Sequence, residues 1–442
     1  MKSGAASIMA DTVIEALKEW NPWWFGKSPV LDELKGTERP KYGALVDSVD
    51  SKLITIITGV RRSGKSTLMY QMVDRLLKAG KRQEDIFFVN FEDRKLSNSS
   101  LDDIYSAYRE NINPDKKAYI FFDEIHRKDG WETWIRKKYD LKENAKFVIS
   151  GSCSYLLRKE YSTLLTGRNL TFVIFPLSFG EFLEFKGIDV DRNMFGKNLV
   201  MEQTKYSILK SLKEYMGLGG FPGVFLEKEE FKARMLKQYF DDIIYKDIID
   251  RHRIRGGKVK DLAQMLITNF TGLVSLRKTR STLNLSYDAI KDYLYIFEEV
   301  FLFFIANHFS YSISKQKKYP PKIYCIDNGL INAVSFRFTK NEGKLAENTV
   351  FVELKGRGKE VYYWKGKNEV DFVIKNDDQS LSAINVTYTD EIDEREKKGL
   401  MEFKRTFKSK VKELVIITKD LEDEKNGISY IPLWKWLLRQ VS

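Results

Sequence analysis

The sequence predicts an α/β protein whose first folded domain is a doubly wound parallel sheet. Two observations carry this. Five strand-sized runs are apolar throughout, and stretches of helical texture separate them. A glycine-bearing loop follows the first run directly and leads into a helix. Strands covered by helices on both faces read as continuous apolar runs, without polar alternation. Such strands alternating with helices are the pattern of a doubly wound domain.

The first run, Leu53-Ile54-Thr55-Ile56-Ile57-Thr58, is rich in β-branched residues and ends at Gly59. A helix is expected from Lys65 to Leu77. Ile86–Phe91, Ala118–Asp123, Lys146–Gly151 and Leu170–Phe175 are the remaining strands. Ahead of them, residues 1–50 read as a polar lead-in containing Trp20-Asn21-Pro22-Trp23-Trp24 and Arg39-Pro40-Lys41-Tyr42. After Pro176 the texture is helical to about Arg255, interrupted by Gly217, Gly219, Gly220, Pro222 and Gly223. From Gly257 to about Phe338, helices give way to short strands. Near Asn341 a further α/β segment begins. It opens on a helix over Leu345–Leu354 and continues with strand-like runs at Val361–Trp364, Val370–Ile374, Ser382–Val386 and Glu413–Ile417.

Length and composition set the outer bounds. At 442 residues, a prior of roughly 150 residues per domain gives about three domains. A hydrophobic content of 43% with 13% aromatics suits globular cores and argues against disorder. The net charge of +12 fits an anionic partner such as nucleic acid, and equally a charge-rich surface. Two cysteines, Cys153 and Cys325, and three histidines exclude a disulfide scaffold and a Cys/His zinc cluster. No basic segment followed by an apolar one marks a secretory signal at the N-terminus. The longest greasy run, Val300–Ala306, is strand-sized, far short of the ~18 residues that span a bilayer. A cytoplasmic protein without membrane association is the expectation.

The loop Gly59-Val60-Arg61-Arg62-Ser63-Gly64-Lys65-Ser66 is a Walker A motif in the strand–loop–helix context that it requires. Successive peptide N–H groups and a helix N-terminus point at phosphates there. Gly59 and Gly64 permit the turns, Lys65 reaches the β- and γ-phosphates, and Ser66 offers its hydroxyl to Mg²⁺. Arg61, Arg62, Ser63 and Thr67 complete the expected ATP-binding set around them. Tyr119-Ile120-Phe121-Phe122-Asp123-Glu124 is a buried strand ending in two acids, a Walker B pattern. Asp123 is expected to hold Mg²⁺ at the sheet's C-terminal edge. Glu124 is expected to orient or deprotonate the attacking water, which favours hydrolysis over simple exchange. The fourth strand ends Ser150-Gly151-Ser152, where a polar side chain such as Ser152 would lie beside the γ-phosphate as a sensor; the competing reading is an ordinary turn. Arg168 would be an arginine finger or γ-phosphate sensor, against the competing reading of a surface arginine. The turn Gly219–Gly223 would pack on adenine, although local physics calls only for a turn.

Taken together, these marks resemble the AAA-type P-loop ATPases of archaea and bacteria, close to the MNS-type branch of the STAND NTPases. The residues that carry the resemblance are Gly59–Thr67, Phe121-Phe122-Asp123-Glu124-Ile125, Gly130-Trp131-Glu132, Ser150-Gly151-Ser152 and Gly167-Arg168. Phe175-Pro176-Leu177-Ser178-Phe179 and Gly220-Phe221-Pro222 narrow it. The resemblance spans roughly residues 40–440. It implies a lead-in over 1–50, an AAA-like P-loop NTPase core over 51–180 and a helical lid over 181–256. A winged helix over 257–338 and a nuclease-like α/β domain over 339–442 follow. It also implies that Pro222 contacts adenine and that Arg168 lies near the γ-phosphate.

Residues Thr271 to Phe297 themselves read as helix–turn–helix. Leu276–Leu283 is the first helix, Asn284-Leu285-Ser286 the turn with Ser286 as N-cap, and Tyr287–Glu298 the second helix. Val300–Ala306 and Lys322–Ile326 would be wing strands with Lys315, Lys317 and Lys318 at the tip, where basic residues would meet phosphates. The rival reading is a module that packs on the nucleotide core and moves with its state. The last domain resembles the PD-(D/E)XK nuclease fold, which arranges acids and a lysine around a divalent metal. Glu347 and Asp371 stand at matching positions. Asn385-Val386-Thr387 replaces the expected acid-X-Lys, so a degenerate site without cleavage is expected there. The leading expectation is therefore an ATP- and Mg²⁺-dependent machine acting on DNA, translocating or remodelling it in branched form. It would work as a homo-oligomer, a hexameric ring being one form. The rivals are a nucleotide-dependent regulatory switch with a protein partner and an ATPase-coupled nuclease.

Overall fold

The computed structural model describes residues 12–26, 32–152, 165, 167–189, 202–336 and 341–439. Cys153 lies outside them. The chain forms two compact units, Met1–Ile174 and Phe175–Ser442. No helix among the described residues is long and apolar enough to cross a membrane.

The first unit is built on five parallel strands: β1 Ile54–Thr58, β2 Ile86–Asn90, β3 Ala118–Asp123, β4 Ala145–Gly151 and β5 Asn169–Val173. Their order is β2-β3-β4-β1-β5. The inner strands β1 and β3 are buried along their whole length, which is why they read as continuous apolar runs. The β5 run starts and stops earlier than Leu170–Phe175 suggests and is only half-buried. It is an edge strand of the sheet. The helix Lys65–Lys78 follows β1, and Leu68, Met69, Met72 and Val73 bury its inner face.

The other edge strand, β2, is capped by the segment that reads as a polar lead-in. Residues 12–20 are helical, and the turn after them docks on β2. The buried Asn21 behaves as a piece of strand: its Nδ2 donates to Phe88 O at 2.7 Å, and its Oδ1 accepts from Phe88 N at 2.7 Å. The indole N–H groups of Trp23 and Trp24 both donate to Ile86 O, at 3.1 and 2.9 Å. An open strand edge invites pairing with another chain, and these side chains occupy it.

In the second unit, helices Phe179–Phe185, Glu202–Leu218, Pro222–Phe225 and Glu229–Asp242 come first. The last of these runs on into a π-helical stretch, Ile243–Asp250. The Gly219-Gly220 turn has a structural explanation. Gly220 N donates to the buried Asp327 Oδ2 at 2.7 Å, and Gly220 O accepts from Leu177 N at 2.7 Å. A Cβ on Gly220 would lie 2.3 Å from Leu177 O. Burial pushes the Asp327 carboxyl up to about 6, against three backbone N–H bonds that lower it.

After Gly256–Thr268 come the helices Leu276–Leu283 and Tyr287–Glu299, with left-handed Asn284 between them and Ser286 accepting from Ala289 N at 3.0 Å. This is the expected helix–turn–helix. The expected wing strands are shorter: β6 Phe303–Ala306 pairs antiparallel with β7 Lys322–Cys325. Val300–Leu302 turns instead, through Phe301 at φ 58°. Lys315, Lys317 and Lys318 lie on a short helix, Ile313–Lys318, between the two strands. The chain closes on a six-stranded sheet: β8 Val361–Lys365, β9 Glu369–Lys375, β10 Leu381–Val386, β11 Val411–Thr418, β12 Asp423–Lys425 and β13 Ile428–Pro432. Its order is β12-β13-β11-β10-β9-β8. Helix Glu394–Phe407 covers one face through Leu400 and Phe403, against Val370, Val373, Leu381 and Ala383.

Candidate functional site

The parallel sheet of the first unit ends its central strands at one edge, and the chain turns sharply there. Gly59 follows β1 at φ 143°, where an added Cβ would lie 2.1 Å from Ile174 O. Arg62 and Gly64 are left-handed, at φ 70° and 96°. The loop is pinned from outside by the buried Arg39, whose Nη1 donates to Ser63 O at 2.8 Å while its guanidinium lies 4.7 Å from the Tyr42 ring centroid. Arg61 pairs with Glu92 at 3.0 Å, and Arg127 pairs with the same oxygen at 3.1 Å. Thr67 lies one residue beyond Ser66 on the helix, half-buried.

Lys65 is the first residue of that helix, and its side chain is 5% exposed. Its Nζ donates to Gly59 O at 3.1 Å and Val60 O at 3.2 Å, both carbonyls of its own loop. The nearest carboxylate oxygen, Glu124 Oε1, is 4.0 Å away. The ammonium is thus held mainly by neutral acceptors.

Asp123 is fully buried at the end of β3 and gathers three donors. Ser66 Oγ donates to Oδ2 at 2.6 Å, Asn90 Nδ2 donates to Oδ2 at 2.7 Å, and Ser150 Oγ donates to Oδ1. Burial and the neighbouring Glu124 charge raise its pKa above the usual carboxylate range, against Ser150, Ser66 and Lys65, which lower it. Glu124 follows in the left-handed region at φ 54°, a conformation that a non-glycine residue keeps only where its surroundings enforce it. Glu124 N donates to Ser150 Oγ at 3.1 Å, and Glu124 Oε2 lies 3.3 Å from His126 Nδ1.

Sequence reasoning missed Asn90, Arg39 and His126 as members of this constellation. Ser150, two residues before the expected sensor, is the serine that touches both Asp123 and Glu124. Ser152 is buried just past β4. The Ser66 hydroxyl beside the Asp123 carboxylate is a hard-oxygen pair at a helix N-terminus, a donor set that fits Mg²⁺.

Arg168 lies away from the loop of its own chain. Arg168 O accepts from Ile54 N at 2.8 Å, and β5 runs parallel to β1 from Asn169 opposite Ile54. It therefore sits at the start of β1, whereas the loop from Gly59 to Ser66 follows the end. The five residues of β1 separate the two by roughly 16 Å, at about 3.3 Å per residue. Arg168 does not reach a phosphate on the loop of its own chain. Its Nε donates to Asp140 Oδ1 at 2.8 Å, at the end of helix Trp131–Asp140. Pro222 belongs to the second unit, where it opens the short helix Pro222–Phe225.

A second polar centre lies in the second unit. Glu347 and Asp371 converge, as expected, but on Lys322 of β7. The lysine absent from Asn385-Val386-Thr387 arrives here from another strand. Asn385 accepts from Asp371 N at 3.0 Å and turns its amide to Glu396 Oε2 at 2.7 Å. Thr387 N donates to Ile417 O at 2.8 Å, past the end of β10.

Residues 51–183 match the AAA domain family. Residues 209–341 and 342–436 match two domains of unknown function, DUF8612 and DUF4143. The class is thus an AAA-domain protein with a nucleotide-binding domain at its front. The chain is 35% identical over 433 residues to uncharacterized protein MJ1544 of Methanocaldococcus jannaschii, covering 92% of this chain and 94% of that one. It is 32% identical over 405 residues to an uncharacterized protein of Haemophilus influenzae, covering 89% and 96%. The chain belongs to the family of these two proteins. The solved structure of Aeropyrum pernix ORC1 in complex with DNA is 11% identical with a TM-score of 0.31, covering 71% of this chain and 93% of that one. A likeness that low carries no functional argument.

Proposed function

We propose that the chain is a Mg²⁺-dependent ATPase of the AAA type, of the STAND-like group, which works as a homo-oligomer and acts on DNA. The observation that carries the ATPase reading is the bonding of Ser66 and Ser150 to Asp123, with Lys65 and Glu124 beside it at one edge of the parallel sheet. Lys65 exchanges its two loop carbonyls for phosphate oxygens. The loop N–H groups from Gly59 through Thr67, including those of Arg61, Arg62 and Ser63, cradle the phosphates. Ser66 and Asp123 would hold Mg²⁺, which would neutralise charge on the bound phosphates. Glu124 orients the attacking water and takes its proton, with Ser150 fixing the Glu124 peptide. Ser152 lies near the γ-phosphate and Pro222 packs on adenine.

Arg168 acts in trans in this reading. Its place at the far end of β1 supports contact with a neighbouring protomer's nucleotide, where an arginine finger contributes on the order of 1,000-fold or more. Mixing Arg168→Ala chains with Lys65→Ala chains should restore turnover, because each supplies what the other lacks. No recovery in the mixture would sink the trans role.

The DNA reading is supported by exposed Arg277, Lys278 and Arg280 on the first helix of the helix–turn–helix. Lys315, Lys317 and Lys318 between β6 and β7 add to it. The second helix exposes Asp288 and Asp292 beside Lys291, so in this proposal it does not lie against phosphates. Turnover measured with and without duplex, single-stranded and branched DNA over a salt series tests the whole. Stimulation that fades steeply with salt is expected. Turnover indifferent to every DNA, with no binding at moderate salt, would leave the regulatory switch standing.

A further inference from the structure

The centre around Lys322 has the carboxylates of a metal site and a cation already in it. Lys322 Nζ lies 3.3 Å from Glu347 Oε1, 2.7 Å from Glu369 Oε1 and 3.3 Å from Asp371 Oδ1. Its side chain is 5% exposed. The carboxylates are held from behind. Tyr324 OH donates to Glu347 Oε1 at 2.8 Å, Val386 N donates to Asp371 Oδ2 at 3.0 Å, and Lys365 Nζ lies 3.3 Å from Glu369 Oε2. Three N–H groups of one ammonium thus face three carboxylates from a helix and a strand. A nuclease-like fold implies a divalent metal in this place, and the residues present do not fit one. Mg²⁺ needs oxygen ligands near 2.0–2.1 Å, and here the oxygens stand at ammonium distances around a nitrogen. Asn385, where a second acid would stand, is neutral and spends its amide on Asp371 N and Glu396. Among the described residues, no group of three or more His, Cys, Asp or Glu side chains is set for a metal ion.

We propose that Lys322 is a resident cation that takes the place of the divalent metal, closing this centre to metal and to metal-dependent phosphodiester cleavage. The inference rests on the degenerate-nuclease reading of the module and says what closes it. A divalent ion would have to expel a covalently attached charge from a buried position. The expelled ammonium would then lose all three carboxylate partners. Removing the ammonium should leave three carboxylates with no counter-charge between them, free to close from ammonium distances onto Mn²⁺.

The test is Mn²⁺ uptake by the full chain without nucleotide, measured by equilibrium dialysis, with circular dichroism to confirm folding. Wild type and Asp371→Asn should bind the same number of ions. Lys322→Met should gain about one Mn²⁺ per chain, and Lys322→Met with Asp371→Asn should lose that gain. Lys322→Gln serves as a second opening variant that keeps a polar group. Asp371-dependent Mn²⁺ uptake by wild type overturns the proposal, whichever variant folds. A folded Lys322→Met or Lys322→Gln chain that gains no ion also overturns it. DNA binding by the same preparations reports on the nuclease-like reading separately; its loss would leave the metal result standing.

Discussion

Two buried lysines, each with a side chain 5% exposed, stand at the two polar centres of this chain. Lys65 donates hydrogen bonds to two carbonyls and keeps its nearest carboxylate at 4.0 Å. Lys322 is ringed by three carboxylates at 2.7 to 3.3 Å. Burial is the same and the consequence is opposite. Carbonyl dipoles hold an ammonium without cancelling it, so its charge remains available to a polyanion that displaces them. Carboxylates cancel it, and no incoming phosphate or metal improves on what it already has. The neighbours of a buried charge, more than its burial, decide whether it serves as a site or a plug.

The largest effects should come from Lys65 and Glu124. Lys65→Ala should lower turnover by about 100-fold to 1,000-fold, the loss seen when one preorganised charge stabiliser is removed. Glu124→Gln should lower turnover as far while ATP stays bound, because the proposed role of Glu124 is to orient the attacking water. Steady-state phosphate release, paired with nucleotide retention on a filter, separates the two. Unchanged turnover in both variants would remove the ATPase reading, and with it one side of the comparison.

Lys322→Met should instead show in stability. Breaking a buried ion pair by deleting one partner costs about 3–5 kcal/mol, since the remaining charges stay buried. Burial works against the charge on Lys322, but Glu347, Asp371 and Glu369 hold its pKa well above the usual lysine value. Urea unfolding should therefore show a loss of about 3 kcal/mol. A loss under about 1 kcal/mol, the scale of exposed pairs, would mean that Lys322 is not the keystone that its distances describe.

The same contrast explains what could be read in the sequence. The loop after β1 and the acid-ended strand β3 were legible because a tight strand-to-helix turn needs its residues contiguous, and Gly59 through Thr67 are. The inner strands were legible because burial on both faces leaves no polar alternation. The ends of β5 were not, because an edge strand is half-exposed and its apolar run continues past the pairing. The lead-in was misread as polar because the work of Asn21, Trp23 and Trp24 is to satisfy backbone groups of β2, some sixty residues away in sequence. Arg168 was placed beside the phosphate by motif, and only the β1–β5 register puts it at the far end. Lys322 could not be found from the acid-X-Lys pattern. It comes from a strand 25 residues before Glu347 and 49 before Asp371, and no local rule ties them.

A smaller effect sharpens the comparison through pH. Lys146 is a third buried lysine, held like Lys65 by neutral acceptors: its Nζ donates to Leu53 O and, at 3.0 Å, to Thr55 Oγ1. Burial and the nearby Lys117 push its pKa down to about 8. Above that pH the folded chain has released a proton that the unfolded chain still binds. Stability from this group should then rise with pH from about 8 toward the unfolded lysine value near 10.4. Lys322 has the opposite sign. Its raised pKa keeps its contribution whole below the unfolded value, and the contribution is lost only as pH climbs through the folded one. Against Lys146→Met, wild type should gain on the order of 1 kcal/mol between pH 8 and 10. The Lys322 ammonium itself should add no such rise over the same range, although Glu347, pushed up to about 7 by burial against the pull of Lys322, climbs further in Lys322→Met. Equal slopes for the two lysines in urea unfolding would show that carbonyl and carboxylate neighbours do not divide buried charges in the way these centres suggest.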